Sequence, residues 1–196
     1  SMLGSIMKHQ DTHFHILCMT KGGAKGFDRT NGIQRLDEVS NCWKEANLSN
    51  VSLSFSDCNF FEDKDGDAEW VNYIENKFIK NGNYDCIFIP TREDSQFEHK
   101  FVNGLGPALI RVSPISLIEY RTPSTLNSWN HNIFIDIKDY YENKVKCLQN
   151  FKSQINKSYF SKITLDAFHS NFQCRKRGIH IIEQFKLIEY YESRIL

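Results

Sequence analysis

The stretch 84–99 constrains the fold of this chain more than any other part of the sequence. Residues 86–89 form a short apolar run that a proline follows, a pattern typical of a buried strand in an α/β sheet. A polar loop with Asp94, Glu98 and His99 comes next, and helical apolar spacing follows it. Ligands of open α/β sheets bind beyond the carboxyl ends of the strands, so these side chains are candidates for a functional site. The alternative interpretation is a capping and solvation feature at a helix start.

Strand-like and helix-like patterns alternate along the rest of the chain. Strands are predicted at 13–20, 51–55, 116–120 and 132–137. Helices are predicted at 2–10, 33–48, 69–80, 101–110 and 140–154, and the last third, 157–196, reads as helical with a strong apolar stripe over 180–189. The order β-α-β-α predicts an α/β fold, a Rossmann-like, mostly parallel sheet flanked by helices, as a single domain over residues 1–196.

Composition and charge exclude several classes of protein. Hydrophobic residues make up 40% of the chain, which argues against a disordered protein. The 24 basic residues balance the 24 acidic ones, so the sequence predicts no electrostatic capture of nucleic acid. No apolar run is long enough for a membrane span.

The cysteines and two of the histidines are candidates for metal binding or for disulfide bonds. The six cysteines are widely spaced, without a CxxC pair, which favours free thiols and a cytoplasmic setting. His13 and His15 lie two residues apart on one face of a predicted strand, where they either bind a metal or cover the sheet.

Two further segments are candidates for substrate contacts. Gly22 and Gly23 lie in a loop after the first predicted strand, where glycine permits close approach of a substrate. Arg35 and Glu38 lie three residues apart near the start of a predicted helix. They form either a surface ion pair or a site in which Arg35 faces the substrate.

Several short motifs occur in the order in which one enzyme family carries them. They are GSIMKH at 4–9, HILCMTKG at 15–22, RLDE at 35–38, DSQFEH at 94–99, FIDI at 134–137, Lys144, SQ at 153–154 and EQF at 183–185. In this order the sequence resembles the PIG-L/LmbE family of zinc-dependent N-deacetylases, which act on sugars of the N-acetylglucosamine type. The resemblance spans nearly the whole chain.

The resemblance implies metal-assisted hydrolysis of an amide. In the family two histidines and one aspartate hold Zn²⁺, and a second aspartate acts as the general base. Carried to this chain, it makes His99 a metal ligand, with Glu98 its orienting neighbour and Asp94 a second-shell or substrate contact, both counted as catalytic candidates. Arg35, Gly22 and Gly23 become substrate contacts. The implied partner is a small-molecule N-acetylated sugar conjugate, and self-association stays open.

The sequence also departs from the family pattern. The first family motif, H-P-D-D, and the strand that carries it are not in this sequence, so an N-terminal segment is expected to be missing. Ser95 stands where a second histidine is common, and Glu98 replaces an aspartate. A metal-free sugar-binding or interaction protein is therefore the alternative function. A methyltransferase-like enzyme is disfavoured because no glycine-rich nucleotide fingerprint is present.

Overall fold

The computed structural model describes residues 2–21, 30–111, 113–171, 174 and 178–191 of the chain. The chain divides into two compact units. Unit 1 comprises Lys64–Phe134 and the residues from Gln184 onward, and unit 2 comprises Met2–Asp63 and Ile135–Glu183. Among the described residues, no helix has the length and apolar character needed to cross a membrane.

Unit 2 builds a two-stranded parallel sheet and a helical layer. Its elements are α1 (Leu3–Lys8), β1 (Phe14–Cys18), α2 (Thr30–Ala46), β2 (Val51–Phe55), α5 (Tyr141–Leu148) and α6 (Lys162–Phe168). Strands β1 and β2 pair along their whole length, with Ile16 opposite Leu53 at the centre. Side chains of α1, α2 and α5 form one apolar cluster, centred on Leu3, Met7, Cys42 and Cys147.

Unit 1 builds its sheet around two parallel strands. Its elements are α3 (Gly66–Lys77), β3 (Cys86–Pro90), α4 (Phe97–Ile110) and β4 (Ser116–Tyr120). β6 (Ile182–Glu189) pairs antiparallel with β4, and β5 (Ile133–Asp136) completes the sheet order β3-β4-β6-β5. Parallel pairing of β3 with β4 places the carboxyl ends of both strands at one edge, since Pro90 is opposite Tyr120.

A glycine allows α4 to lie against this sheet. A Cβ added at Gly106 would lie 2.6 Å from the Ile89 side chain and 3.3 Å from that of Leu117. The close approach buries Leu105 and Leu109 of α4. The helix holds its N-terminal turn, which contains His99, beside the carboxyl ends of β3 and β4.

The α/β class and the parallel strand pairs are confirmed. Residues 51–55 and 116–120 form strands at the predicted bounds, and the run at 86–89 forms β3 with Pro90 added. The expectation of one continuous sheet was wrong for the described residues, because β1 and β2 form a sheet separate from the other four strands. All six cysteines are free thiols.

The helix predicted over 180–189 was wrong. Residues 182–189 form strand β6, and the first four of them, 182–185, are buried. Two of these buried residues, Glu183 and Gln184, are polar, so the burial of the strand does not follow the apolar spacing from which periodicity predicts an element. Pairing with β4, which lies more than sixty residues earlier in the chain, stabilises this segment as a strand.

Smaller differences concern the helices. In α2, Ile33 is 62% exposed, while Cys42 is buried and Trp43 is half-buried against the same cluster. α4 begins at Phe97, before the predicted start at 101, so His99 belongs to its first turn. A short 3₁₀ turn over Lys138–Tyr140 precedes α5, which ends at Leu148.

Candidate functional site

An aspartate and a histidine meet at the carboxyl edge of the parallel strands in unit 1. Asp94 lies in the loop that follows β3 and is fully buried. Its Oδ2 lies 3.0 Å from Nδ1 of His99, in the first turn of α4. The Gln96 N–H donates to Asp94 Oδ1 at 2.8 Å, which fixes the carboxylate just before the helix begins. The sequence therefore placed both residues at the correct edge.

The loop after β4 supplies two hydroxyl groups to this pair. The Thr122 hydroxyl donates to Asp94 Oδ2, and Ser124 Oγ lies 3.3 Å from His99 Nδ1. Backbone bonds join the two loops, from Ser95 N–H to the Ser124 carbonyl at 3.0 Å and from Leu126 N–H to the Glu93 carbonyl at 2.9 Å. The pair is thus held by two loops that parallel strand pairing brings together.

The hydrogen bonds keep Asp94 ionised. Burial alone would raise the pKa of this carboxyl, but donation from Thr122, from the Gln96 N–H, from Ser124 and from His99 outweighs it and lowers the pKa below its usual range. An ionised carboxylate accepts from a proton-bearing Nδ1, so in the neutral form of this ring the lone pair is on Nε2. The His99 side chain is 30% exposed, which leaves this ring accessible.

A second buried carboxylate, that of Glu119, bonds to the segments around the Asp94–His99 pair. Glu119 of β4 is buried and accepts hydrogen bonds from the Thr91 hydroxyl, from Asn103 Nδ2 at 2.8 Å and from Trp129 Nε1 at 3.1 Å. The Arg92 N–H also donates to it, at 3.3 Å. These bonds tie the end of β3, the middle of α4 and the loop after β4 to one side chain.

The other predicted site residues do not join this pair in the described structure. Glu98 is exposed, and the carboxylate that accepts the hydrogen bond from His99 Nδ1 is that of Asp94. Consecutive helix residues do not face each other, which explains why Glu98 does not orient its neighbour. Arg35 lies half-buried on α2 in unit 2. Gly22 and Gly23 lie outside the described residues. The catalytic and substrate roles of these residues stay predictions.

Sequence reasoning missed Thr122 and Ser124. They lie in a Thr-Pro-Ser-Thr turn that reads as an ordinary loop, more than twenty residues beyond Asp94. The available signal was topological, because the loops after two adjacent parallel strands meet at the same sheet edge.

The described residues do not complete a zinc site. No group of three or more histidine, cysteine, aspartate or glutamate side chains in the described ranges is arranged to hold a metal. Protein zinc sites use three or four such ligands. Both oxygens of Asp94 are already engaged, so this pair offers one ligand atom, Nε2 of His99. The described part of the chain therefore does not fit zinc by itself.

Unit 2 contains a different buried cluster of charged side chains. Lys144 Nζ lies 2.5 Å from Glu183 Oε1 and 2.7 Å from His169 Nε2, and all three side chains are almost fully buried. Glu183 also accepts the backbone N–H groups of Gly4 and Ser5, at 2.9 and 2.8 Å. Two residues that matched the family order, Lys144 and Glu183, thus hold α1 in place.

The environment fixes the charges in this cluster. Burial and the Lys144 charge lower the pKa of His169 to about 3, so its ring is neutral and accepts from Lys144. Burial would raise the pKa of Glu183, but the charge and hydrogen bond of Lys144 and the bond from Ser5 lower it. The His169 Nδ1 donates to the Leu165 carbonyl at 2.7 Å, so both ring nitrogens are engaged.

Comparison with known proteins identifies the fold. No family model matches the chain, and no curated protein matches it in sequence. Among solved structures, the 4-carboxy-2-hydroxymuconate hydratase GalB from Pseudomonas putida KT2440 is 12% identical, with a TM-score of 0.71 over 99% of this chain and 92% of GalB.

Two deacetylases are similar in the same way. The N,N′-diacetylchitobiose deacetylase from Pyrococcus horikoshii is 17% identical, with a TM-score of 0.70 over 96% of this chain and 78% of the enzyme. The zinc-inhibited form of the teicoplanin deacetylase Orf2 is 8% identical, with a TM-score of 0.67 over 93% and 89%. The chain therefore has the α/β fold that these enzymes share. One fold carries both a hydratase and deacetylases, so the fold alone does not select the reaction.

Proposed function

We propose that this protein is a deacetylase that removes an N-acetyl group from a sugar conjugate of the N-acetylglucosamine type. The observation that carries the proposal is the Asp94–His99 pair. It lies at the carboxyl edge of parallel strands and in a motif that resembles one of the deacetylase family. The deacetylases of the same fold support this reaction over the hydration that GalB catalyses.

The roles proposed for the residues follow from their hydrogen bonds. Asp94 holds the Nδ1 proton of His99, so Nε2 presents a lone pair to a ligand. Thr122 bonds to the carboxylate of Asp94, and Ser124 Oγ lies beside Nδ1 of His99, so both residues hold the pair in its orientation. Hydrolysis of an acetamide yields acetate and a free amine, and the amine needs a proton as it leaves. The residue that supplies this proton is not among those placed at the pair.

Zinc dependence is part of the proposal and needs ligands outside the described residues. His99 would hold the metal through Nε2, and bound zinc would supply an activated water. We further propose that residues 1–196 form one deacetylase domain and that the protein acts in the cytoplasm.

Acetate-release measurements on the purified protein test the proposal. Acetate release from N,N′-diacetylchitobiose is measured with and without added zinc, for wild type, His99→Ala and Asp94→Asn. His99→Ala is expected to lower kcat/KM by about 10²–10⁴-fold, the range of a lost acid–base or ligand group, and Asp94→Asn by about 10–100-fold. His180→Ala, an exposed histidine in unit 2, is the control and should leave the rate unchanged.

A metal-free sugar-binding protein is the second candidate, because the described residues lack three metal ligands. Calorimetric titration with zinc and with the same sugar separates the two. Sugar binding without zinc binding and without acetate release would favour the binding protein. Hydration of 4-carboxy-2-hydroxymuconate without acetate release would instead assign a GalB-like reaction.

A further inference from the structure

The outer edge of β2 has no backbone partner among the described residues. In the parallel ladder with β1, the Phe14 N–H donates to the Asn50 carbonyl and the Ser56 N–H to the Cys18 carbonyl. This alternation directs the backbone groups of Ser52 and Ser54 toward β1. The N–H and carbonyl groups of Val51, Leu53 and Phe55 therefore point to the opposite edge, where no described strand pairs with them.

The residues of β2 itself include none of the features that usually protect an edge strand from pairing with another chain. Natural edge strands are blunted by charged residues, proline, bulges or covering elements. β2 contains only valine, serine, leucine and phenylalanine, and it pairs with β1 without a bulge. In unit 1, the edge strand β3 ends in Pro90, so its last residue offers no N–H.

An open groove runs beside the same edge. A cavity of about 530 Å³ lies between α2 and β2, and its walls include Trp43 and Leu48 together with Val51, Leu53 and Phe55. All five strand residues are half-buried, so their apolar side chains remain partly accessible from this groove.

The sequence of β2 is symmetric in residue class. Val-Ser-Leu-Ser-Phe reads in reverse as Phe-Ser-Leu-Ser-Val, with apolar residues at both ends and the centre. An antiparallel copy centred on Leu53 would set Leu53 opposite Leu53 and Val51 opposite Phe55. Those pairs are the ones whose backbone groups face outward, so they would form the hydrogen-bonded pairs of the new ladder.

We propose that two copies of this protein associate about a two-fold axis through Leu53, by antiparallel pairing of their β2 strands. The result is a continuous four-stranded sheet of the order β1-β2-β2-β1. Both α2 helices lie on the same face, and the apolar side chains of each β2 extend the groove of the other copy. Such an isologous contact closes on itself and leaves no further free edge at β2. The proposal is independent of the deacetylase activity.

The register gives a specific cross-linking test. Ser52 of one copy faces Ser54 of the other in a non-hydrogen-bonded pair, in which side chains lie close enough for a disulfide. Ser52→Cys and Ser54→Cys are prepared as separate proteins and oxidised alone and as an equimolar mixture. The mixture is expected to form a disulfide-linked dimer, and each single variant and the wild type should not. No cross-link in the mixture, or equal cross-linking of each variant alone, would overturn this register.

Charge substitutions test the association in solution by sedimentation. The wild type is expected to sediment as a dimer. Ser52→Lys/Ser54→Lys places lysines opposite each other and should give monomer at the same concentration. Ser52→Lys/Ser54→Asp places opposite charges across the same pairs and should restore the dimer. Asn41→Lys/Asn72→Lys, two exposed helix positions, controls for added charge and should stay dimeric.

Circular dichroism verifies that each variant keeps the wild-type fold. A wild type that is monomeric at tens of micromolar, or a folded double-lysine variant that stays dimeric, would contradict the proposal.

Discussion

Each of the two units buries a carboxylate close to a histidine, but the two histidines differ in exposure and in how many of their ring nitrogens are bonded. In unit 1, the side chain of His99 is 30% exposed, and its Nδ1–H donates a hydrogen bond to the buried Asp94. In unit 2, His169 is 1% exposed, and its two ring nitrogens are engaged by Lys144 and the Leu165 carbonyl. The described hydrogen bonds thus involve one ring nitrogen of His99 and both ring nitrogens of His169.

The two carboxylates also differ in where their hydrogen-bond partners lie. Glu183 bonds to Lys144 and to the backbone of α1, so it joins elements that are distant in sequence. Asp94 bonds to groups that immediately surround the carboxyl edge of β3 and β4. A buried ion pair with many bonds points to a structural role, and an oriented histidine at a strand edge points to chemistry.

The largest expected effect is the loss of one partner in the unit 2 cluster. Lys144→Ala removes the positive charge that Glu183 and His169 share and leaves a buried carboxylate without its partner. Breaking a buried pair in this way lowers the free energy of unfolding by about 3–5 kcal/mol. Chemical denaturation monitored by circular dichroism measures the change.

A double-mutant cycle supplies the control for this substitution. Lys144→Met, Glu183→Gln and the double variant are compared, and the double variant should be more stable than the sum of the single effects predicts, by at least about 1 kcal/mol. Additive effects would mean that the two side chains act separately, and the structural interpretation of the cluster would fail.

The next effect is expected in the pH dependence of stability, through His169. The pKa of His169 is lowered to about 3 in the folded protein, from 6.5 when unfolded, by burial and by Lys144. Below pH 6.5 the unfolded chain binds a proton that the folded chain does not, so stability falls as pH falls. Between pH 6.5 and 5 this group alone lowers the free energy of unfolding by about 2 kcal/mol.

Unfolding measured at pH 7, 6 and 5 tests this dependence. His169→Gln should show a flatter profile than wild type over this window. Equal slopes for wild type and His169→Gln would show that His169 does not titrate as its burial requires.

Asp94→Asn should have an intermediate effect. It keeps the size of the side chain but removes the charge that accepts bonds from Thr122, His99 and the Gln96 N–H. Hydrogen bonds to charged groups contribute about 1.5–3 kcal/mol each, and an amide retains part of this, so we expect a loss of about 2 kcal/mol. Denaturation of Ser95→Ala, an exposed neighbour, is the control and should change little.

The parts of the fold that the sequence predicted are those that depend on local pattern. The alternation at 51–55 and the apolar runs at 86–89 and 116–120 identify three strands, and parallel order then places Asp94 and His99 at one edge. The strand at 182–189 was missed because its identity depends on pairing with β4, which no local pattern encodes.

The candidate site was predicted in part for the same reason. Asp94 and His99 lie five residues apart, so a motif contains both. Thr122 and Ser124 come from another loop, and only the pairing of β3 with β4 brings them to the carboxylate. Lys144 and Glu183 were identified through the family resemblance, but their shared bond required the structure.

The smallest effect on stability is expected for His99→Ala, although its effect on activity is large. The ring is partly exposed, and Asp94 keeps its bonds from Thr122 and the Gln96 N–H when the imidazole is removed. One hydrogen bond at a partly solvated position contributes about 1 kcal/mol, so the free energy of unfolding should fall by no more than this. His169→Ala is the matched comparison and should lose several times as much, because it opens a cavity and leaves Lys144 with one acceptor fewer. Denaturation of both variants, with acetate release measured on the same samples, decides the assignment. A His99→Ala protein that is as unstable as His169→Ala would show that His99 is a structural histidine, and the contrast between the two units would disappear.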